Sequence, residues 1–150
     1  FAYDYLKSKK DILRLRDKEK GKYENWFAYG RNQSLEKMRN KLFFPHITPD
    51  IPNFVINTDE NLLFHNGLAV VTENERELYF LQKLMSSKLF WFYIKNSSKP
   101  YGSNYFSLSK NYIKNFGVYN FSEEQKEYII KENNKEILDA FFEEKYNIKL

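Results

Sequence analysis

Cysteine is absent from all 150 residues, which excludes a disulfide framework, a thiolate metal site and a cysteine nucleophile. Histidine is scarce. His46 in LFFPHITP and His65 in LLFHNG each stand beside apolar residues, without the HExxH spacing a metalloprotease needs, and both read as structural or solvent-edge residues. The five glycines, at 21, 30, 67, 102 and 117, are too dispersed to form a GxGxxG turn or a GxxxxGK[ST] phosphate loop, and no GxSxG elbow occurs. No apolar run approaches bilayer length. Residues 1–20 lack the apolar core and small-residue cleavage site of a signal peptide, and the chain opens on Phe1 rather than Met, so a fragment of a longer cytoplasmic protein is the expectation.

Acid is missing from one long interval. No Asp or Glu occurs between Glu77 and Glu123, while Lys83, Lys88, Lys95, Lys99, Lys110 and Lys114 all fall inside it. Such a field suits an anion, because carboxylates there would repel a phosphate backbone; a Lys-rich solvated surface would look the same by charge alone. The overall balance of +4 is uneven: residues 1–50 carry +5, residues 51–120 +2 and residues 121–150 −3. The paired carboxylates Glu123-Glu124 and Glu143-Glu144 are adjacent on helices and point in different directions. No general acid/base site, metal site or catalytic residue follows from these patterns.

What is present is a globular composition, with 42% hydrophobic and 29% charged residues, in a chain long enough for one domain with its own core. YLKSKKDILRLR, residues 5–16, predicts a short helix. The stretches KLFFPHI, FVIN (54–57), LLFH (62–65) and GLAVV (67–71) read as strands, and their short connections favour antiparallel pairing. Thr72/Glu75 and Asn74/Glu77 have capping-box spacing, and Leu78, Leu81, Met85, Leu89 and Phe92 recur at helical intervals until Asn96–Pro100 end the run. A second helical stretch begins at Ser122, with a break near Asn133-Asn134 and an apolar set of Ile129, Ile130, Ile137, Leu138, Phe141 and Phe142 that predicts docking on the body. The fold class expected is α+β, small central and mostly antiparallel strands flanked by helices. The expected organisation is a lead-in helix over residues 1–22, a recognition region over 23–121, and C-terminal helices over 122–150 packed on it.

Two stretches combine residues suited to nucleic acid. YENWFAYGRNQSLEK supplies Tyr23, Trp26, Tyr29, Arg31, Asn32 and Gln33; NSSKPYGSNYFSLSK supplies Lys99, Tyr101, Ser103, Asn104, Tyr105, Ser107 and Lys110 on a Pro/Gly-interrupted loop. Arg can bond guanine bidentately, Asn and Gln adenine, while Ser, Lys and Tyr suit phosphates. Trp26 and Phe27 are assigned chiefly to packing.

ILRLRDKEKGKYENWFAYGRNQSLEKMRNKLFFPHI resembles the start of the C-terminal specificity domain of TaqI-like N6-adenine DNA methyltransferases, including combined restriction-and-modification enzymes. The resemblance rests on Arg16-Asp17, on the W-x-x-Y-G-R-x-Q element at Trp26, Tyr29-Gly30-Arg31 and Gln33, and on Lys41-Leu42 followed by Pro45 and Ile47. It extends loosely through Leu84-Met85-Ser86-Ser87, where the family's asparagine is absent, through Phe116-Gly117-Val118 in place of a leucine-proline-aliphatic ending, and through ILDAFFEEKYNI. The resemblance implies a target recognition domain that reads double-stranded DNA mainly in the major groove; the residues expected to touch that DNA, by their types and positions, are Arg31, Gln33, Lys41, Lys99, Tyr101, Ser103, Asn104, Tyr105 and Lys110. It also implies an N-terminal methyltransferase domain in the same parent chain, which would use S-adenosylmethionine on a flipped adenine and belong to a restriction-modification system, with or without nuclease activity. The N/D-P-P-Y/F motif of that catalytic half occurs nowhere in the 150 residues, so neither catalysis nor cofactor binding is expected of this stretch itself. The alternative is a protein-interaction module whose acidic C-terminal helices dock on another domain or subunit.

Overall fold

Helical and extended periodicities alternate along the chain. In the computed structural model, which describes residues 1–16, 23, 25–28, 37–64 and 67–150, they give an α+β fold. The expectations placed on Tyr29-Gly30, Arg31, Gln33 and His65 lie outside the described residues. The chain forms two compact units, residues 1–36 and 37–150.

In the first unit the expected single helix is two, α1 (Ala2–Ser8) and α2 (Lys10–Arg14). The break falls where the Ser8 hydroxyl donates back to the Tyr5 carbonyl at 2.7 Å and Lys9 leaves helical geometry, a competition with the helical ladder typical of serine. Beyond them, Arg16 donates to the carbonyls of Leu13, Ala28 and Trp26, and its guanidinium lies 4.1 Å from the centre of the Tyr23 ring. The Trp26 and Phe27 rings meet edge-on, and each also meets Tyr3. Trp26 is half-buried in this cluster, while Phe27 keeps much of its surface exposed.

The second unit carries two small sheets. In the first, β1 (Asn40–Phe44) lies between β3 (Val55–Asn57) and β4 (Leu68–Thr72), antiparallel to both. Leu42 stands opposite Ile56 and Val70, and these three side chains turn inward together, as the two-residue period of a strand requires. In the second sheet, β6 (Tyr105–Ser107) lies between β2 (Ile47–Thr48) and β5 (Pro100–Tyr101), again antiparallel. The strand expected over residues 62–65 does not form over Leu62–Phe64. Asx-type turns use the amides instead: Asp59 Oδ1 accepts from the Asn61 N–H, and Asn57 Oδ1 from the Asp59 N–H, leaving no extended run to join a ladder.

Helices cover the inner faces. The run expected as one helix, from the Thr72–Glu77 caps to the break at Asn96–Pro100, is α3 (Glu75–Met85) and α4 (Lys88–Ser97). Ser87 divides it: its hydroxyl donates to the Leu84 carbonyl at 2.6 Å and accepts from the Phe90 N–H at 3.2 Å, closing one helix and capping the next. At the start of α3 the cap is Asn74, whose Oδ1 accepts from Arg76. Thr72 takes the Asn74 N–H in place of the Glu77 side chain expected there. After the short α5 (Lys110–Ile113), α6 (Glu123–Lys131) and α7 (Lys135–Tyr146) follow. Ser122 and Gln125 form a reciprocal capping box, and Asn134 caps α7 at the break the sequence predicts.

α3 serves two cores because its apolar residues fall on two sides. Leu78 and Met85, a heptad apart, join Leu42, Phe54, Phe90, Ile94 and Leu108 under the sheets. Phe80 and Leu84 join Leu89 of α4, Phe121 just ahead of α6, Ile129 of α6, and Leu138 and Phe142 of α7. The C-terminal helices therefore dock on the body, with Ile137 left exposed. Arg76 reinforces that docking, with ion pairs of 2.9 Å to both Glu123 and Glu127. Both carboxyls are held below their ordinary value. For Glu123 the main cause is the hydrogen bond and charge of Lys126, for Glu127 those of Lys131, and Arg76 adds to each. Among the described residues no helix is long and apolar enough to cross a membrane.

Candidate nucleic-acid interface

β5 and β6 form a hairpin across Gly102, Ser103 and Asn104, where the sequence predicts only a loop. All three tip residues have positive φ, at 50°, 27° and 65°, and the Tyr105 N–H closes the turn on the Gly102 carbonyl at 2.9 Å. Glycine and asparagine tolerate the left-handed region better than other residues. The signal was present in the sequence: two aromatic-bearing runs, PY and YFS, separated by three residues that include glycine.

Strand alternation then assigns two faces. Phe106 turns inward, where its ring meets Trp91 of α4 edge-on at 5.4 Å, and its partner across the ladder, Thr48, is buried. The opposite face carries Tyr101 and Tyr105, directly paired, then Ser107 opposite Ile47. Lys99 is level with Ser107, whose N–H donates to the Lys99 carbonyl. Tyr101 keeps 64% of its surface exposed and Tyr105 38%, high for aromatic residues. Lys99, Ser103 and Asn104 are exposed as well. No side chain among the described residues pairs with Lys99, Tyr101, Ser103 or Asn104.

The fold thus brings Lys99, Tyr101, Ser103, Asn104 and Tyr105 onto one projecting element. Lys110 is exposed at the start of α5, past the end of β6 farther from the tip. Lys95 lies over the Trp91 ring at 5.7 Å and extends the basic character onto α4. Asp50, just past β2, is folded back onto the Thr48 hydroxyl. Lys41 is a different case. It sits on β1 of the other sheet, fully buried, with its ammonium donating to the Met38 and Asp59 carbonyls. Lys41, expected among the DNA-binding residues, thus has its ammonium committed to two backbone carbonyls, which its flexible stem lets it reach.

Other sites are poorer. A cavity of about 370 Å³ opens between α4 and the end of α7, lined by Leu89, Phe92, Tyr93, Phe116, Tyr146 and Ile148. Its polar groups are already committed: Asn96 Nδ2 and the Ser97 hydroxyl donate to carbonyls of their own helix, and the Tyr146 hydroxyl donates to Gly117 and accepts from Tyr119. Burial pushes that phenol above its ordinary value, against the opposing Tyr119 N–H. Among the described residues no three His, Asp or Glu side chains assemble a metal site.

Compared with protein-family models and with curated protein sequences, the chain matches none.

Proposed function

We propose that this chain is a double-stranded DNA recognition domain, the specificity part of an adenine-N6 DNA methyltransferase of a restriction-modification system. The observation that carries the proposal is the exposed β5–β6 hairpin, which lies wholly inside the acid-free interval between Glu77 and Glu123. It joins a lysine, two outward tyrosines and a tip of small polar residues that have no side-chain partners among the described residues. Phosphate contacts position such a surface, and short amides read base edges. The resemblance over residues 12–47 supports the same reading, since the W-x-x-Y-G-R-x-Q element accompanies a recognition domain in that family. On this reading the parent protein is cytoplasmic, holds S-adenosylmethionine in a separate N-terminal domain, and supplies the catalysis this chain does not. The test is selection from a random duplex pool by the full-length gene product carrying this chain. A common short sequence should be enriched, with methyl transfer to an adenine inside it; a pool that stays random would end the proposal.

A second reading, a protein-docking module, draws on a specific feature. The outward face of the first sheet exposes Val55 and Val71, and Leu62 and Leu63 are exposed in the following loop. The Val55→Lys/Val71→Lys variant separates the two: loss of an inter-domain or inter-subunit association with DNA selection unchanged would favour docking for that face.

A further inference from the structure

We infer that the β5–β6 hairpin reads DNA by inserting its tip into the major groove, with Asn104 contacting a base edge and Lys99 a phosphate. The inference rests on the DNA-recognition proposal above, in which major-groove reading is already what the resemblance implies, and adds which element enters the groove, which residue makes the base contact and which the phosphate contact.

Dimensions favour this assignment. β2 ends at Thr48, opposite Phe106, so the Tyr101–Tyr105 pair and the three tip residues project beyond the three-stranded part. Two to three residues at about 3.3 Å each give a projection of roughly 7–10 Å. The major groove is about 8.5 Å deep and about 12 Å wide and admits a two-stranded ribbon, whereas the minor groove is only about 6 Å wide. Two strands about 4.8 Å apart, with outward tyrosines added, exceed that narrower width.

Chemistry then divides the roles. Asn104 is the last of the three tip residues, exposed, and its amide has no partner among the described residues; an amide can both accept from and donate to adenine in the major groove. Its φ of 65° directs the tip as a fixed turn, so the amide is presented without a disordered loop having to fold on contact. Lys99 is level with Ser107, two ladder positions back from the Tyr101–Tyr105 pair, where a flanking phosphate rather than a base edge would be met. Tyr101 and Tyr105 flank the tip with exposed faces and hydroxyls.

The experiment compares wild type with Asn104→Gly and Lys99→Ala in the full-length gene product, again by selection from a random duplex pool. Glycine adopts the left-handed region freely, so Asn104→Gly removes the amide and keeps the turn. It should relax the preference at one base pair by about 5- to 100-fold while leaving the others intact, and replacing adenine by 7-deazaadenine at that pair should weaken wild type and not the variant. Lys99→Ala should weaken all sequences alike. Selective binding by wild type with an unchanged preference in Asn104→Gly would overturn the inference and leave DNA recognition standing, as would an equal loss on every sequence in a folded Asn104→Gly variant. An unselective wild type would remove the underlying proposal itself.

Discussion

Replacing Asp139 by alanine should loosen the scaffold that carries the hairpin. Asp139 is on α7, 9% exposed, and its Oδ1 accepts from the Lys88 N–H at the first turn of α4 at 2.9 Å. A hydrogen bond to a charged group contributes about 1.5–3 kcal/mol, and a carboxylate at a helix N-terminus adds about 0.3–1 kcal/mol through the macrodipole. The two overlap, since both describe the same charge on the same amide, so a loss of about 2–3 kcal/mol is expected. The ion pair to the Lys88 ammonium is a minor part: it is 3.9 Å long and the lysine side chain is 55% exposed, where such pairs contribute at most about 1 kcal/mol. Lys88→Ala should therefore cost under about 0.5 kcal/mol, while Asp139→Asn, which keeps an accepting oxygen without the charge, should cost about 1 kcal/mol. Urea unfolding followed by circular dichroism measures all three. With an m-value of about 2 kcal/mol/M, Asp139→Ala should lower the midpoint by about 1–1.5 M. A midpoint within about 0.2 M of wild type, or a Lys88→Ala loss as large as that of Asp139→Ala, would refute the capping argument.

Three further outcomes follow. Lys41→Met should alter stability and leave the salt slope of DNA binding unchanged, because its ammonium faces two carbonyls, whereas Lys99→Ala should reduce that slope by about 1; equal slopes for the two variants would contradict their separate placement. The carboxyls of Glu123 and Glu127 titrate below their unfolded value, so their contribution is complete above about pH 4.5 and is lost as pH falls through their lower folded values. Acid unfolding of the Glu123→Gln/Glu127→Gln variant should accordingly be less steep than that of wild type below pH 4.5, and superimposable curves would exclude the contribution. Tyr146→Phe leaves the Gly117 carbonyl and Tyr119 N–H without their side-chain partner and should cost about 1 kcal/mol by urea unfolding; it should also remove part of the stability loss above pH 10, where the unfolded phenol ionises before the folded one.

The fold was legible wherever one periodicity acts alone. α6 and α7 appear with their caps because Ser122, Gln125 and Asn134 state the boundaries locally, and β1, β3 and β4 follow from short apolar runs between turn residues. Legibility failed where a serine, asparagine or aspartate side chain diverts the backbone. Ser87 splits a continuous apolar rhythm into α3 and α4, and Asp59 turns the residues ahead of Leu62 away from a ladder. The candidate site is legible in composition and not in geometry: Lys99, Tyr101, Ser103, Asn104 and Tyr105 stand out as residue types, while their shared outward face follows only from the register Tyr101 opposite Tyr105. Lys41 looked like its neighbours in sequence, and only its burial separates it from them. Asp139 carried no signal, because its partner amide is 51 residues away in the chain.

The most direct measurement is a salt titration of duplex binding by fluorescence anisotropy, run with the full-length gene product on its selected sequence and on a scrambled duplex. The account predicts tighter binding to the selected duplex at every salt concentration, with log K falling linearly against log salt at a slope of about −3 or steeper, as several lysine-phosphate contacts require. Equal affinity for both duplexes, or affinity that does not respond to salt, would contradict it.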